Sequence, residues 1–235
     1  MPATRSLSKS KILAYRQCSK RLWLEIHKAE LRDDSESTTV FGIGNQVGMV
    51  ARSIYDREGT GVLIDIGALC HNEALARSAA LLQSGEVPVF EAGMKAGGAH
   101  AYADVMLPDQ RDETLAWKMI EVKSSGSVKN YQRDDSAVQA HVARSTGQRI
   151  SSVSVAHIDS AFVYQGDADY HGLFKEVDLT EEAFSRSGEV REWIAGAQAV
   201  AELPVEPEIE TGPQCSTPFA CGFFNYCSRN HVSPE

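Results

Sequence analysis

The period of the apolar positions changes several times along the chain. Leu7 and Ser8 precede KSKILAYRQC and KRLWLEIHK, with Ser8 placed as a helix N-cap and Leu22, Trp23 and Ile26 forming a short amphipathic stripe. From Phe41 to Asp56, Ile43, Val47, Val50 and Ile54 recur at helical spacing and predict a core helix closed by Gly59 and Gly61. GVLIDI reads as a short strand and HNEALARSAALLQSG as a helix stopped by Gly85. The period then drops to two. Val87 to Glu91, Ala99 to Leu107 and Leu115 to Lys123 predict a meander, turned at Gly97-Gly98 and at PDQRDET. A helix from Gln132 to Ser145 follows, then the strands SVSVAHIDSAFVY and LFKEVDL, and a late helix, EEAFSRSGEVREWIAGAQAVAEL, interrupted at Gly188. Helices, meander, helix and further strands in this order predict an α/β fold with a mixed central sheet flanked by helices.

With 235 residues, 43% of them hydrophobic and 23% charged, the chain suits one domain with a sizeable core, and excludes a disordered or collagen-like protein. No apolar run approaches the ~18 residues of a membrane span, and MPATRSLSKS lacks the apolar core of a signal peptide, so the expectation is a cytoplasmic protein with no membrane partner. The net charge of −9 argues against a surface that grips nucleic acid everywhere. Its distribution changes that picture, because residues 1–33 carry +5 and the remainder −14. Lys9, Lys11, Arg16, Lys20 and Arg21 are therefore candidate contacts to a DNA backbone, although a solvated helix face would give the same pattern.

The sharpest chemistry lies in the meander. Asp104 in AYADVM and Glu121 in MIEVKSS fall side by side if their strands are adjacent and antiparallel, and Lys123, two residues beyond Glu121, shares its face. Two carboxylates and the backbone carbonyl of Val122 are hard oxygen ligands for magnesium or manganese, and the ammonium is placed to orient water or offset developing charge. Gln139, on the next helix, adds a polar side chain where an apolar one is expected. Glu91 and His100 are accessory candidates, Glu91 from the neighbouring strand and His100 at an even separation from Asp104. An E-x-K strand is also a common solvated face.

Of five cysteines, Cys70 reads as a buried small hydrophobe, whereas Cys18 and the run Cys215, Cys221 and Cys227 supply four thiolates from opposite ends of the chain. Such a set completes a 4Fe-4S cluster or a zinc site. The C-x5-C-x5-C spacing is looser than a zinc knuckle and favours iron–sulfur, with Phe219, Phe223, Phe224 and Tyr226 as a screen from water.

Asp104 with Glu121-Val122-Lys123 resembles the D...E-x-K signature of the PD-(D/E)xK nuclease superfamily, and Gln139 in SAVQAHVA resembles the glutamine motif of its RecB-like branch. A cysteine before this core and three after it are similar to the iron–sulfur members, among them the AddB nuclease domain and the CRISPR-associated RecB-like exonucleases. LSKSKILAYRQCSKRLWL and CSTPFACGFFNYC are closer still to a less characterised bacterial group of such nucleases. The resemblance spans Leu7 to Cys227. It implies a restriction-endonuclease-like domain over residues 1–235: a basic helical segment, 1–33, carries the first cysteine, the nuclease core covers 41–180, and the cysteine-rich tail, 204–230, closes a cluster that joins the two ends. Asp104, Glu121, Lys123 and Gln139 would be the catalytic set, Gln139 positioning the lysine or a phosphate. The implied function is metal-dependent cleavage of DNA, as an exonuclease on single-stranded or free ends, within repair, CRISPR adaptation or phage defence, alone or beside a protein partner of such a complex. Two departures stand out. The first cysteine interval of the tail is five residues rather than the two usual in those relatives, and Asn45 and Gln46 occupy the place of a first-motif histidine or glutamate. Neutral amides bind a divalent cation less tightly, which leaves a nuclease-fold DNA-binding or assembly module with weak cleavage as the alternative.

Overall fold

The computed structural model describes residues 5–33, 38–109 and 114–229, with side chains between 38 and 42 outside that description. In chain order the elements are β1 (Leu7–Ser8), α1 (Lys9–Gln17), α2 (Ser19–His27), α3 (Thr38–Tyr55), β2 (Val62–Leu63), α4 (His71–Ser84), β3 (Val89–Ala96), β4 (Ala99–Asp109), β5 (Ala116–Lys123), α5 (Asn130–Ser145), β6 (Ile150–Ile158), β7 (Phe174–Asp178), α6 (Thr180–Ser185), α7 (Ser187–Ala201) and α8 (Phe224–Arg229). The strands form one mixed sheet in the order β2-β3-β4-β5-β6-β7, with β1 paired to β4 outside that path. β3, β4 and β5 run antiparallel as the meander predicts, while β6 returns parallel to β5 after the α5 crossover, and β7 pairs antiparallel with β6.

Local signals account for most boundaries. Ser8 Oγ accepts the Lys11 amide at 3.3 Å and caps α1. Gly85 ends α4 with φ at 67°, and a Cβ there would meet the Leu115 side chain at 2.4 Å. The expected strand GVLIDI contracts to two residues, and β3 extends past Glu91 to Ala96. The late helix divides at Arg186 instead of Gly188, where the Arg186 guanidinium ties Asp134 and Glu189. The PDQRDET turn lies partly outside the described residues.

The sheet separates two apolar layers. Met106, Trp117 and Met119 join the main core beneath α5, α7 and α1, whereas Phe90, Val105, Ile120 and Ala156 form a second cluster on the opposite face. The α5 helix is buried almost throughout from Asp135 to Ala143, which is why its sequence alternates small and polar residues instead of showing one apolar stripe. No described helix is long and apolar enough to cross a membrane.

Candidate active site

The β4–β5 register pairs Val105 with Ile120 and Met106 with Met119. Continuing that alternation by one residue sets Asp104 beside Glu121 on the Met106/Met119 face, with Lys123 next along the same strand. The spacing read from sequence is thus realised. Asp104 Oδ2 accepts the Val122 amide at 2.7 Å, which ties the carboxyl to the β5 backbone.

Glu121 is 3% exposed and the most enclosed of the charged residues here. Lys123 Nζ donates to its Oε1 at 2.5 Å and to Asp135 Oδ2 at 2.8 Å. Lys9 Nζ, from the start of α1, lies 3.0 Å from the same Glu121 oxygen and 2.8 Å from Asp135 Oδ1. Two ammoniums and two carboxylates thereby alternate in a closed ring. Gln139 Nε2 donates to Glu121 Oε2 and to the Tyr102 carbonyl, both at 2.6 Å, so the glutamine braces Glu121 against β4. The helix residue that contacts Lys123 is Asp135, one turn before Gln139, so of the two roles expected for the glutamine, positioning the lysine falls to Asp135. Asp135 and Gln139 stand at i, i+4 on α5, which puts both on the face turned to Glu121 and Lys123.

Electrostatics follow from this crowding. Burial opposes the charges of Lys9 and Lys123, but Asp135 and Glu121 outweigh it and hold both ammoniums above their usual range. Burial likewise opposes ionisation of Asp135, and the two lysines overcome it to keep that carboxylate below its ordinary range. Asp104 is pushed up to about 8 by burial and by the Glu121 charge. Glu91 is also raised, by burial and then by Glu121, against the opposing charges of Arg52, Lys9 and Lys123. Its backbone sits at φ 55° in the middle of β3, a left-handed conformation that glutamate rarely adopts within a strand. Gln139 Oε1 is buried without a hydrogen-bond partner among the described residues, a spare acceptor beside Glu121.

Other expected site residues lie elsewhere. Asn45 and Gln46 are exposed on α3. His100 is half-buried, its Nδ1 3.1 Å from Ser6 Oγ, and its ring packs edgewise on His71 with centroids 4.6 Å apart; burial, His71 and Lys95 lower it to about 4. The basic segment is drawn into ion pairs: Lys11 and Arg21 with Glu25, Arg16 with Asp134 and over the Trp193 ring, and Lys20 with Glu206. Together with Lys9, all five candidate DNA contacts are engaged with carboxylates. Lys9, Arg16 and Lys20 pair with the acidic body and Lys11 and Arg21 with Glu25 of the same segment, which leaves no free basic stripe on these five residues. Cys70 is exposed at the start of α4, where its amide donates to Glu73 Oε2, and it is not the buried hydrophobe expected.

A second constellation forms where the chain ends meet. Cys18, Cys215, Cys221 and Cys227 line one small pocket, partly open to solvent, with Lys20, Arg21, Leu24 and Phe223 in its wall. Gln17 Nε2 donates to the Gln214 and Phe219 carbonyls, both at 2.7 Å, and sets the α1 C-terminus against the tail. Burial raises the Cys221 and Cys227 thiols, with the neighbouring cysteines adding to the rise and Arg21 and Lys20 opposing it. Among the described residues no group of three or more His, Cys, Asp or Glu side chains is already gathered to hold a metal ion. At the carboxylates, lysine ammoniums take the intervening positions.

No family model matches the chain, and no curated protein matches it. Among solved structures, the crystal structure of SSO0001 is similar with a TM-score of 0.48 and 12% identity, covering 100% of this chain and 88% of that one. Likeness at that level says nothing of activity.

Proposed function

We propose that the protein is a divalent-metal-dependent DNA phosphodiesterase of the RecB-like type, acting on single-stranded or free DNA ends. The observation that carries this reading is the placement of Asp104 and Glu121 across adjacent antiparallel strands with Lys123 on the same face. Asp104, Glu121 and the Val122 carbonyl would hold magnesium or manganese, and the unpartnered Gln139 oxygen leaves acceptor capacity beside them. When bound, the ion supplies Lewis-acid polarisation of the phosphodiester and activation of water. Lys123, steadied by Asp135, presents an ammonium to the attacking water or to charge developing on phosphate. Gln139 keeps Glu121 from turning away.

The same reading extends to the cysteine pocket, where Cys18, Cys215, Cys221 and Cys227 would hold a 4Fe-4S cluster. Four thiols lining one pocket match the ligand number of such a cluster, and Lys20 and Arg21 in the wall offset the negative charge of a thiolate set.

Cleavage of end-labelled single-stranded DNA with manganese tests the reading. Asp104→Ala and Glu121→Ala should abolish cleavage with the fold intact by circular dichroism. Undiminished cleavage in both variants would show that the site is misplaced. The neutral, exposed Asn45 and Gln46 favour one alternative, a DNA-binding or assembly module on the same fold; DNA binding without cleavage by the wild type in either metal would select it.

A further inference from the structure

The ring of Lys9, Glu121, Lys123 and Asp135 has one member that neither β5 nor α5 supplies. Leu7 and Ser8 pair with Ala99 and His100, Leu7 is buried, and Ser8 caps α1, so the backbone of Lys9 is fixed beside the sheet. From there its Nζ lies 3.0 Å from Glu121 Oε1 and 2.8 Å from Asp135 Oδ1. Lys123 already meets both carboxylates, at 2.5 Å and 2.8 Å. Glu121 Oε1 therefore faces two ammoniums, while its Oε2 is taken by Gln139. Lys123 alone reaches both carboxylates; Lys9 places a second cation on the oxygen that a metal ion would use.

We propose that Lys9 is an internal stand-in cation, a positioning residue whose ammonium holds Glu121 when no divalent ion is present and is driven off it when one binds. The inference rests on the reading of Asp104 and Glu121 as metal-binding carboxylates. Position makes Lys9 the partner that can leave: it reaches Glu121 from α1, outside the strand and helix that carry the carboxylates, whereas Lys123 follows Glu121 on the same strand and stays beside it whichever way its side chain turns. Asp135 Oδ1 lies beside Glu121 Oε1 within reach of the same Nζ, so the ammonium can leave Glu121 and keep Asp135. Like charges repel at these separations, and Lys9 therefore weakens cation binding until it moves.

Manganese binding to the full chain, read from the electron paramagnetic resonance of free Mn2+, tests this without reference to cleavage. Lys9→Met and Lys9→Gln should bind Mn2+ about tenfold more tightly than wild type, the change expected from removing one nearby like charge, while Lys9→Arg stays close to wild type. A lysine that instead holds Glu121 in place for the ion would weaken binding when removed. Lys9→Gln retains donors for both carboxylates and carries the test if Lys9→Met does not fold. Wild-type binding with equal or weaker affinity in both neutral variants would overturn the role of Lys9 alone. Absence of Mn2+ binding in wild type and variants alike would overturn the metal reading together with it.

Discussion

At the scale of single residues, the site is a problem in charge compensation. Asp135 is the ring carboxylate without a proposed metal-binding role, and without it Lys9 and Lys123 would share Glu121 alone inside the protein. Removing one partner of a buried ion pair leaves a charge that neither water nor protein neutralises, and typically costs about 3–5 kcal/mol. Asp135→Ala should fall near the lower end of that range, since the lysines keep 19% and 23% of their side chains exposed, and urea unfolding would measure it. Loss under about 1 kcal/mol would mean the ring is not formed in solution. His100 gives a separate, pH-dependent signature. Its folded-state value of about 4 lies below the ordinary histidine value of 6.5, because burial, His71 and Lys95 disfavour the cation. Above pH 6.5 the ring is neutral folded or unfolded and contributes no slope. As pH falls from 6.5 towards 4 the unfolded chain takes up the proton first, so stability should decline through that window. His100→Gln should flatten this limb of the urea midpoint plotted against pH; an identical slope in the variant would remove the histidine from the account.

At the scale of elements, helix α1 links the two constellations: Lys9 opens it in the carboxylate ring and Cys18 closes it at the cysteine pocket. Its seat depends on α7, where Gly196 leaves room for Tyr15, and a Cβ at Gly196 would stand 2.2 Å from the tyrosine hydroxyl. Gly196→Ala should therefore destabilise by about 1–3 kcal/mol, in spite of alanine's better helix propensity, because a well-packed interface resists added volume. A stabilised variant in thermal melts would show that Tyr15 moves aside freely. How much of this was legible in the sequence depends on the range of the interactions. Strand pairing across the meander, the Ser8 cap, the Gly85 stop and the shared face of Glu121 and Lys123 are local, and periodicity displays them. The Lys9–Glu121 contact spans 112 residues and depends on β1 lying beside β4, a pairing of only two residues that carries no periodic signal. Asp135 was concealed for a different reason: in a helix buried on nearly every side, a polar residue cannot be assigned to solvent or site from pattern alone. The break at Arg186 likewise answers to Asp134, 52 positions away, and not to the nearby glycine.

At the scale of the whole molecule, the N-terminal helices and the tail are clasped by protein groups around the four cysteines. Trp23 Nε1 donates to the Leu203 carbonyl at 2.9 Å, Lys20 pairs with Glu206 at 2.9 Å, and Trp23, Leu24, Phe223 and Cys227 pack in a small core of their own. A cluster bound by these thiols would therefore reinforce a closure that hydrogen bonds and packing already define, and its loss should loosen the termini before it unfolds the sheet. Anaerobically purified protein should be brown with broad absorption near ~400 nm, the mark of thiolate-bound iron. Stoichiometric zinc without iron would replace the cluster with a zinc site and leave the closure argument standing. Cys18→Ser should bleach the colour and lower the melting temperature, because it removes the one ligand that ties α1 to the tail through metal. Gln17→Ala, which deletes only the two hydrogen bonds beside it, should lower the melting temperature by about 2–4 °C per kcal/mol lost and leave the colour unchanged. The comparison separates the two halves of the clasp. If Cys18→Ser melts like wild type while Gln17→Ala does not, the termini are held by protein contacts alone, and any iron present has no part in stability.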